Sequence, residues 1–318
     1  VSFLSNRERM ILMDIAGDNG RITPDELKAL RDAGIETSWL YGADMDAPLS
    51  VIDDRLNQYR QAGLKCFLPL WHTQSTKYPA SWYLQTREGQ RVNVLSPWND
   101  EAMAAYNQSL LTMRNAYTAD DCQVVSCWIT DGETVLIDKP AYYDPAALAS
   151  HAREIGGYPL PDLCNRPYGV DWLKRTYTKL LVEQQRILMD TPWREIWYML
   201  HRMIAVFPGS DCDGCDYIDD YLSAFTALQP ASINHISYTY FPHGPNYWRM
   251  IDRDREKWHI NEWVGAEYAE GLRDGNGQRA ADQGLRGLFI GPTHPYTHHG
   301  GIDGWMLDEI KKAVRLWD

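Results

Sequence analysis

Strand-like apolar runs alternate with amphipathic helical runs along the whole sequence, and that alternation limits the fold more than any single motif does. Met10 to Gly17 reads as a first buried strand. Thr23-Pro24-Asp25-Glu26 then has the makings of a helix start: a threonine N-cap, a proline at the first helical position and acids in the first turn. That helix is expected to run to about Ala33 and to stop at Gly34. A strand over Thr37 to Tyr41, a helix over Leu49 to Ala62 closed by Gly63, and a strand over Leu64 to Trp71 follow. A long loop is expected from His72 to about Trp98, then a helix capped by Asn99 or Asp100 that reaches about Tyr117.

The fourth strand is Gln123 to Thr130, ending in Asp131-Gly132-Glu133. A second long stretch, Thr134 to about Gly169, has room for one short helix. Beyond it come a helix over Val170 to Met189, a strand over Glu195 to Leu200, a helix over Tyr217 to Leu228 and a strand over Ile233 to Tyr240. The last units are a short helix over Asn246 to Arg253, a strand over Trp258 to Val264, a short helix over Gln278 to Leu285, a strand over Gly287 to Gly291 and a helix capped by Asp303.

Eight strands in order, each followed by helical or loop sequence, make an α/β chain. In 318 residues they fit one (β/α)₈ TIM barrel best, with long loops after strands three and four. The whole chain, 1–318, reads as one domain. The competing doubly wound sheet lacks its usual signals, since no G-x-G-x-x-G follows the first strand and no P-loop occurs. No apolar run is long enough for a membrane-spanning helix. The chain is therefore expected to be soluble, and its start at Val1 leaves export after removal of a leader open.

The net charge of −12 argues against nucleic acid or an anionic membrane as partner, because both need a basic face. Aromatic residues are skewed toward 13 Trp and 19 Tyr against 6 Phe. Trp and Tyr join a flat apolar face to a hydrogen-bonding edge, which suits surfaces that hold sugars as well as it suits a core. Cys66, Cys122 and Cys127 lie in or beside apolar runs and read as buried thiols. Cys212 and Cys215 form one C-x-x-C in a loop, without the second pair that a zinc ribbon needs. Nothing in the sequence calls for a cofactor.

In such a barrel the active site lies at the C-terminal ends of the strands. Two glutamates stand out there: Glu133 after strand four and Glu262 near the end of strand seven. Two carboxyl groups about 5–5.5 Å apart make a retaining glycosidase, one protonating the leaving oxygen and the other attacking the anomeric carbon. Asp131, two residues before Glu133 and on the same strand face if the strand persists, is a candidate to tune it, to hold an Arg or to act as the acid of an inverting variant.

Trp128-Ile129-Thr130-Asp131-Gly132-Glu133 resembles the W-x-I-D-N-E strand of family 42 glycoside hydrolases, the β-galactosidase-type enzymes of clan A. Tyr78-Pro79-Ala80-Ser81-Trp82-Tyr83-Leu84, Arg87-Glu88-Gly89-Gln90-Arg91 and Ser96-Pro97 are similar to the stretch upstream of it. Ile260-Asn261-Glu262-Trp263-Val264-Gly265 resembles the seventh strand of other clan A enzymes. His235 to Tyr240 resembles the sixth, which bears a tyrosine beside the nucleophile. The resemblance implies Glu133 as acid/base and Glu262 as nucleophile, supported by Asp131, Tyr238, Tyr240 and Asn261. One position departs from the pattern: Gly132 stands where these enzymes carry the Asn that binds the sugar 2-hydroxyl.

Trp71, Trp82, Trp128 and Trp263 are candidate sugar platforms. His72, His201, Arg202 and His294 are candidates to hydrogen-bond sugar hydroxyl groups. The expected partner is therefore a carbohydrate substrate. Two alternatives stay open: a carbohydrate-binding barrel that no longer hydrolyses, and a metal-dependent barrel hydrolase using Asp14, His72 and the histidines His294, His298 and His299. The metal reading lacks H-x-H on strand one and H-E-x-x-H anywhere, so no metal is expected.

Overall fold

The computed structural model describes residues 10–13, 22–40, 47–69, 77–117, 124–127, 142–156, 195–201, 233–239, 262–266, 270–273, 275–284, 287–290 and 304–317, with Glu256, Ile302 and part of a helix between Trp172 and Ile187. Strands and helices are numbered here in chain order.

Eight strands close into a parallel barrel. In order around it they are β1 (Met10–Met13), β2 (Thr37–Trp39), β3 (Lys65–Pro69), β6 (Val124–Cys127), β7 (Glu195–His201), β8 (Ile233–Thr239), β9 (Glu262–Ala266) and β10 (Gly287–Ile290). Met10 opposite Gly287 and Leu12 opposite Thr37 close the ring. All eight strands expected from the alternation are present in the expected order.

The helices of the first half follow from local chemistry. α1 (Pro24–Ala33) starts on a reciprocal capping box, with Glu26 N–H donating to Thr23 Oγ1 at 3.2 Å and Thr23 N–H to Glu26 Oε2 at 2.8 Å. It buries Leu27, Leu30 and Ala33 and ends at Gly34, whose φ of 107° is left-handed. Each buried leucine contributes about 1.5–3 kcal/mol by leaving water. A Cβ on Gly34 would lie 2.7 Å from Val314 Cγ2, so the C-terminal helix α7 (Gly304–Val314) closes directly on this turn. α2 (Leu49–Ala62) buries Ile52, Leu56 and Tyr59 and also ends on a left-handed glycine, Gly63.

The stretch after β3 is more ordered than a loop. A 3₁₀ turn over Ala80–Trp82 leads into a hairpin of β4 (Tyr83–Gln85) and β5 (Arg91–Leu95), with Tyr83 opposite Leu95 and Gln85 opposite Arg91. Thr86 N–H donates to the Gln90 carbonyl and Gly89 N–H to the Thr86 carbonyl, which sets the reversal. Strands this short carry too little alternation to read from sequence. α3 (Asp100–Ala116) then starts on Asn99, whose side chain accepts from Ala102 N–H at 2.9 Å.

The stretch after β6 holds the one short helix expected there, α4 (Pro145–Glu154). The helix expected over Gln278 to Leu285 starts earlier, as α6 (Asn276–Asp282), behind a short α5 (Glu270–Arg273) and a left-handed Gly275. The helices expected over Tyr217 to Leu228 and Asn246 to Arg253 lie outside the described residues. Cys66 is a free, buried thiol whose pKa burial pushes far up. Cys122, Cys212 and Cys215 lie outside the described residues. Among the described residues no helix is long and apolar enough to cross a membrane.

Candidate active site

The C-terminal ends of parallel strands form the mouth of a barrel. On its fifth to seventh strands one row is set by pairing. His201 closes β7 opposite Tyr238 of β8, and Tyr238 lies opposite Gly265 of β9. His201 and Tyr238, both expected at the site, are thus lateral neighbours at the mouth.

Glu262 lies on β9, below this row. It lies opposite His235, three residues before Gly265 and about 10 Å lower at a strand rise near 3.3 Å. Trp263 lies opposite Ile236 and Gly287. The strand expected from the sequence ends at Val264. In the structure pairing continues past it: Gly265 lies opposite Tyr238 and Phe289, and Ala266 opposite Thr239 and Ile290. A glycine held in ladders on both sides does not end a strand. The residue that follows Ala266 in the sequence is Glu267.

Glu133, Asp131 and Trp128 follow the described end of β6 and lie outside the described residues. So do Trp71, His72, Arg202, Tyr240, Asn261 and His294. Asp14, His298 and His299 of the metal alternative lie outside them too. Among the described residues no group of three or more metal-ligating side chains is present.

The two long excursions beside strand four are joined to one another. Tyr142 makes a parallel bridge with Gln85, and Tyr143 N–H donates to the Gln85 carbonyl at 3.0 Å. Ser96 donates its hydroxyl to Asp144 Oδ1 at 3.0 Å. The same oxygen caps α4, accepting from Ala146 N–H and Ala147 N–H. Asp144 is fully buried and its Oδ2 has no partner among the described residues. Burial pushes its pKa up, opposed by these hydrogen bonds. The segment that carries Glu133 therefore runs between β6 and a point fixed to the hairpin.

Behind this junction is an aromatic cluster. Trp172 is fully buried, stacks on Trp98 at 4.5 Å and meets the edges of Tyr142 and His151. Its indole N–H donates to Ser150 Oγ at 3.3 Å. His151 is buried, with its pKa lowered by desolvation. Tyr59, Tyr83 and Tyr106 are likewise fully buried, so much of the described Trp and Tyr content serves the core. Trp82 stacks on Tyr78 at 5.5 Å and donates its indole N–H to Glu101 at 3.2 Å. These contacts anchor Trp82 in the hairpin unit. Ser96, Asp144 and Trp172 were not candidates from the sequence, although Asp144-Pro145 is a readable N-cap and first-turn pair.

No protein-family model and no curated relative matches this chain. Solved structures do. A polyextremophilic β-galactosidase from the Antarctic haloarchaeon Halorubrum lacusprofundi superposes with a TM-score of 0.60 at 11% identity, covering 96% of this chain and 58% of that one. A cold-adapted β-galactosidase from Rahnella sp. R3 gives a TM-score of 0.60 at 11% identity, covering 100% and 57%. An old yellow enzyme homologue from Zymomonas mobilis gives 0.56 at 12% identity, covering 89% and 84%. The chain thus spans less than two thirds of the length of the β-galactosidases it matches. At these identities the likeness establishes the barrel fold, which hosts many chemistries.

Proposed function

We propose that this chain is a retaining glycoside hydrolase, acting on a glycosidic bond of an oligo- or polysaccharide. The observation that carries the reading is the pairing of motif with position. The Trp128–Glu133 stretch follows the fourth strand of a closed eight-stranded parallel barrel, and a glutamate-bearing motif occupies the seventh. The barrel likeness to β-galactosidases is consistent with it. In this chemistry Glu133 protonates the glycosidic oxygen as the bond to the anomeric carbon breaks. A carboxylate on the opposite side attacks that carbon to form a glycosyl-enzyme. Glu133 then takes a proton from a water whose oxygen attacks the anomeric carbon, breaking its bond to the carboxylate and releasing the sugar with its configuration retained. His201 and Tyr238, neighbours at the mouth, are assigned to substrate hydroxyl groups and to the nucleophile respectively.

The family resemblance assigns the nucleophile to Glu262. The strand register favours a second carboxylate for the same role, Glu267, because it follows the last paired residue of β9. The test is hydrolysis of a panel of aryl α- and β-glycosides and natural glycans by the wild type, Glu133→Gln, Glu262→Ala and Glu267→Ala, with azide added to the alanine variants. A glycosyl azide formed by Glu262→Ala alone assigns the nucleophile to Glu262; formed by Glu267→Ala alone, to Glu267. Near-normal turnover in Glu133→Gln defeats the hydrolase reading. Gly132, in place of the usual Asn, favours one alternative: a barrel that binds sugars without cleaving them. Saturable glycan binding by a wild type inert on the whole panel supports that alternative.

A further inference from the structure

Outside the barrel, a cavity of about 380 Å³ lies in the helical layer, between α3, α4 and the helix that carries Trp172. None of its lining residues belongs to a barrel strand. Its size is within the roughly 300–1,000 Å³ of small-molecule sites.

We propose that this cavity is a second carbohydrate-binding site, for a neutral mono- or disaccharide, separate from the mouth of the barrel. Its apolar lining includes Trp98, which is only partly buried, with Pro97, Met103 and Leu180. The Trp98 ring is held rigidly: Trp172 stacks on it at 4.5 Å, and its N–H donates to Thr176 Oγ1 at 3.0 Å. A fixed aromatic face suits the C–H face of a pyranose and loses little side-chain freedom on binding.

The polar wall is also pre-positioned. Glu183 accepts from Asn107 Nδ2 at 2.9 Å. Glu154 accepts from Ser150 Oγ at 2.9 Å and pairs with Arg153 and Arg175. Lys179 lines the cavity without an ion pair among the described residues. Carboxylate acceptors beside an ammonium donor match hydroxyl groups, each of which both donates and accepts.

Other ligand classes fit less well. Asp100, Glu154 and Glu183 place three carboxylates on the wall against two cations, Arg153 and Lys179, so a phosphate or nucleotide meets no net positive field. An apolar ligand would strip water from these groups without replacing its hydrogen bonds.

The inference does not depend on Glu133, and its test separates the two sites. Glu133→Gln protein, which is inert if the hydrolase reading holds and unaffected if it fails, is titrated with D-galactose, D-mannose, lactose and cellobiose, followed by calorimetry and ligand-observed NMR. The same titration is run after adding Lys179→Ala with Glu183→Gln, both on exposed side chains, and separately Trp98→Phe, which keeps an aromatic ring on Trp172. Thermal melts verify that each variant is folded. Saturable saccharide binding that weakens by about tenfold or more in both cavity variants supports the site. Binding unchanged in these variants, absence of binding at tens of millimolar saccharide, or displacement of bound saccharide by inorganic phosphate overturns it.

Discussion

The hairpin–α3–α4 unit and the mouth strands β7 to β9 are built on different principles. In the first, the helix starts and the junction are held by named side chains: Asn99 caps α3, Asp144 caps α4, and Ser96 joins one excursion to the other. In the second, position is set by long parallel ladders, with His201, Tyr238 and Gly265 in one row. Capped local structure holds its place residue by residue. A ladder holds its place collectively, so a shift of one register moves every side chain it carries. Changes in the hairpin unit should register as stability, and changes at the mouth as turnover.

The largest expected effect tests the mouth. On the proposed hydrolase reading, Glu133→Gln should lower kcat by about 10²–10⁴-fold with an unchanged melting temperature, because it removes proton transfer and keeps the size of the side chain. A matching loss of stability would break the distinction. The next tests the hairpin unit. Trp172→Ala deletes a fully buried ring with contacts to Trp98, Tyr142 and His151, and should cost about 3–5 kcal/mol in urea melts.

Asp144→Ala should cost about 1–3 kcal/mol, since it removes a cap and the acceptor for Ser96. Asp144→Asn keeps a good cap and sharpens the comparison through pH. Burial raises the Asp144 pKa, so the folded chain holds that proton more tightly than the unfolded one. Its contribution to stability therefore falls as pH rises from about 3.9 through the raised value, and the Asn variant should lose that part of the slope. Gly34→Ala should cost about 1–2 kcal/mol, for the left-handed φ and the approach of Val314.

The smallest effect is at His151. Its pKa is lowered by burial, so the unfolded chain takes up the proton first and stability falls as pH drops below about 6.5. Its Nε2 is buried without a partner among the described residues. His151→Phe should flatten this acid slope at little or no cost in stability at neutral pH, as read by chemical denaturation across the range.

The barrel was legible because eight strand–helix alternations and glycine stops such as Gly34 and Gly63 repeat one message at two levels, period and capping. The hairpin was not, since three residues from Tyr83 to Gln85 cannot display a period and both Tyr83 and Leu84 are buried. The bridge between Gln85 and Tyr142 was not legible either, because nothing local marks a backbone pairing between distant segments. At the site, residue types were readable from motifs, while height along the strand was not. The strand expected to end at Val264 pairs on through Ala266, so Glu262 lies low on it and Glu267 is the next carboxylate in the sequence.

The closing seam of the barrel, Met10 against Gly287, has a consequence for how the chain is made. A ribosome must emit every other strand of the barrel, through Ile290, before the first strand can meet its last neighbour. Until then β1 has only β2 to pair with, and its other edge stays open. Hairpin, α3 and α4 draw on partners much nearer in sequence and can assemble during that wait, so the slow event in maturation should be the joining of a seam rather than the building of the parts.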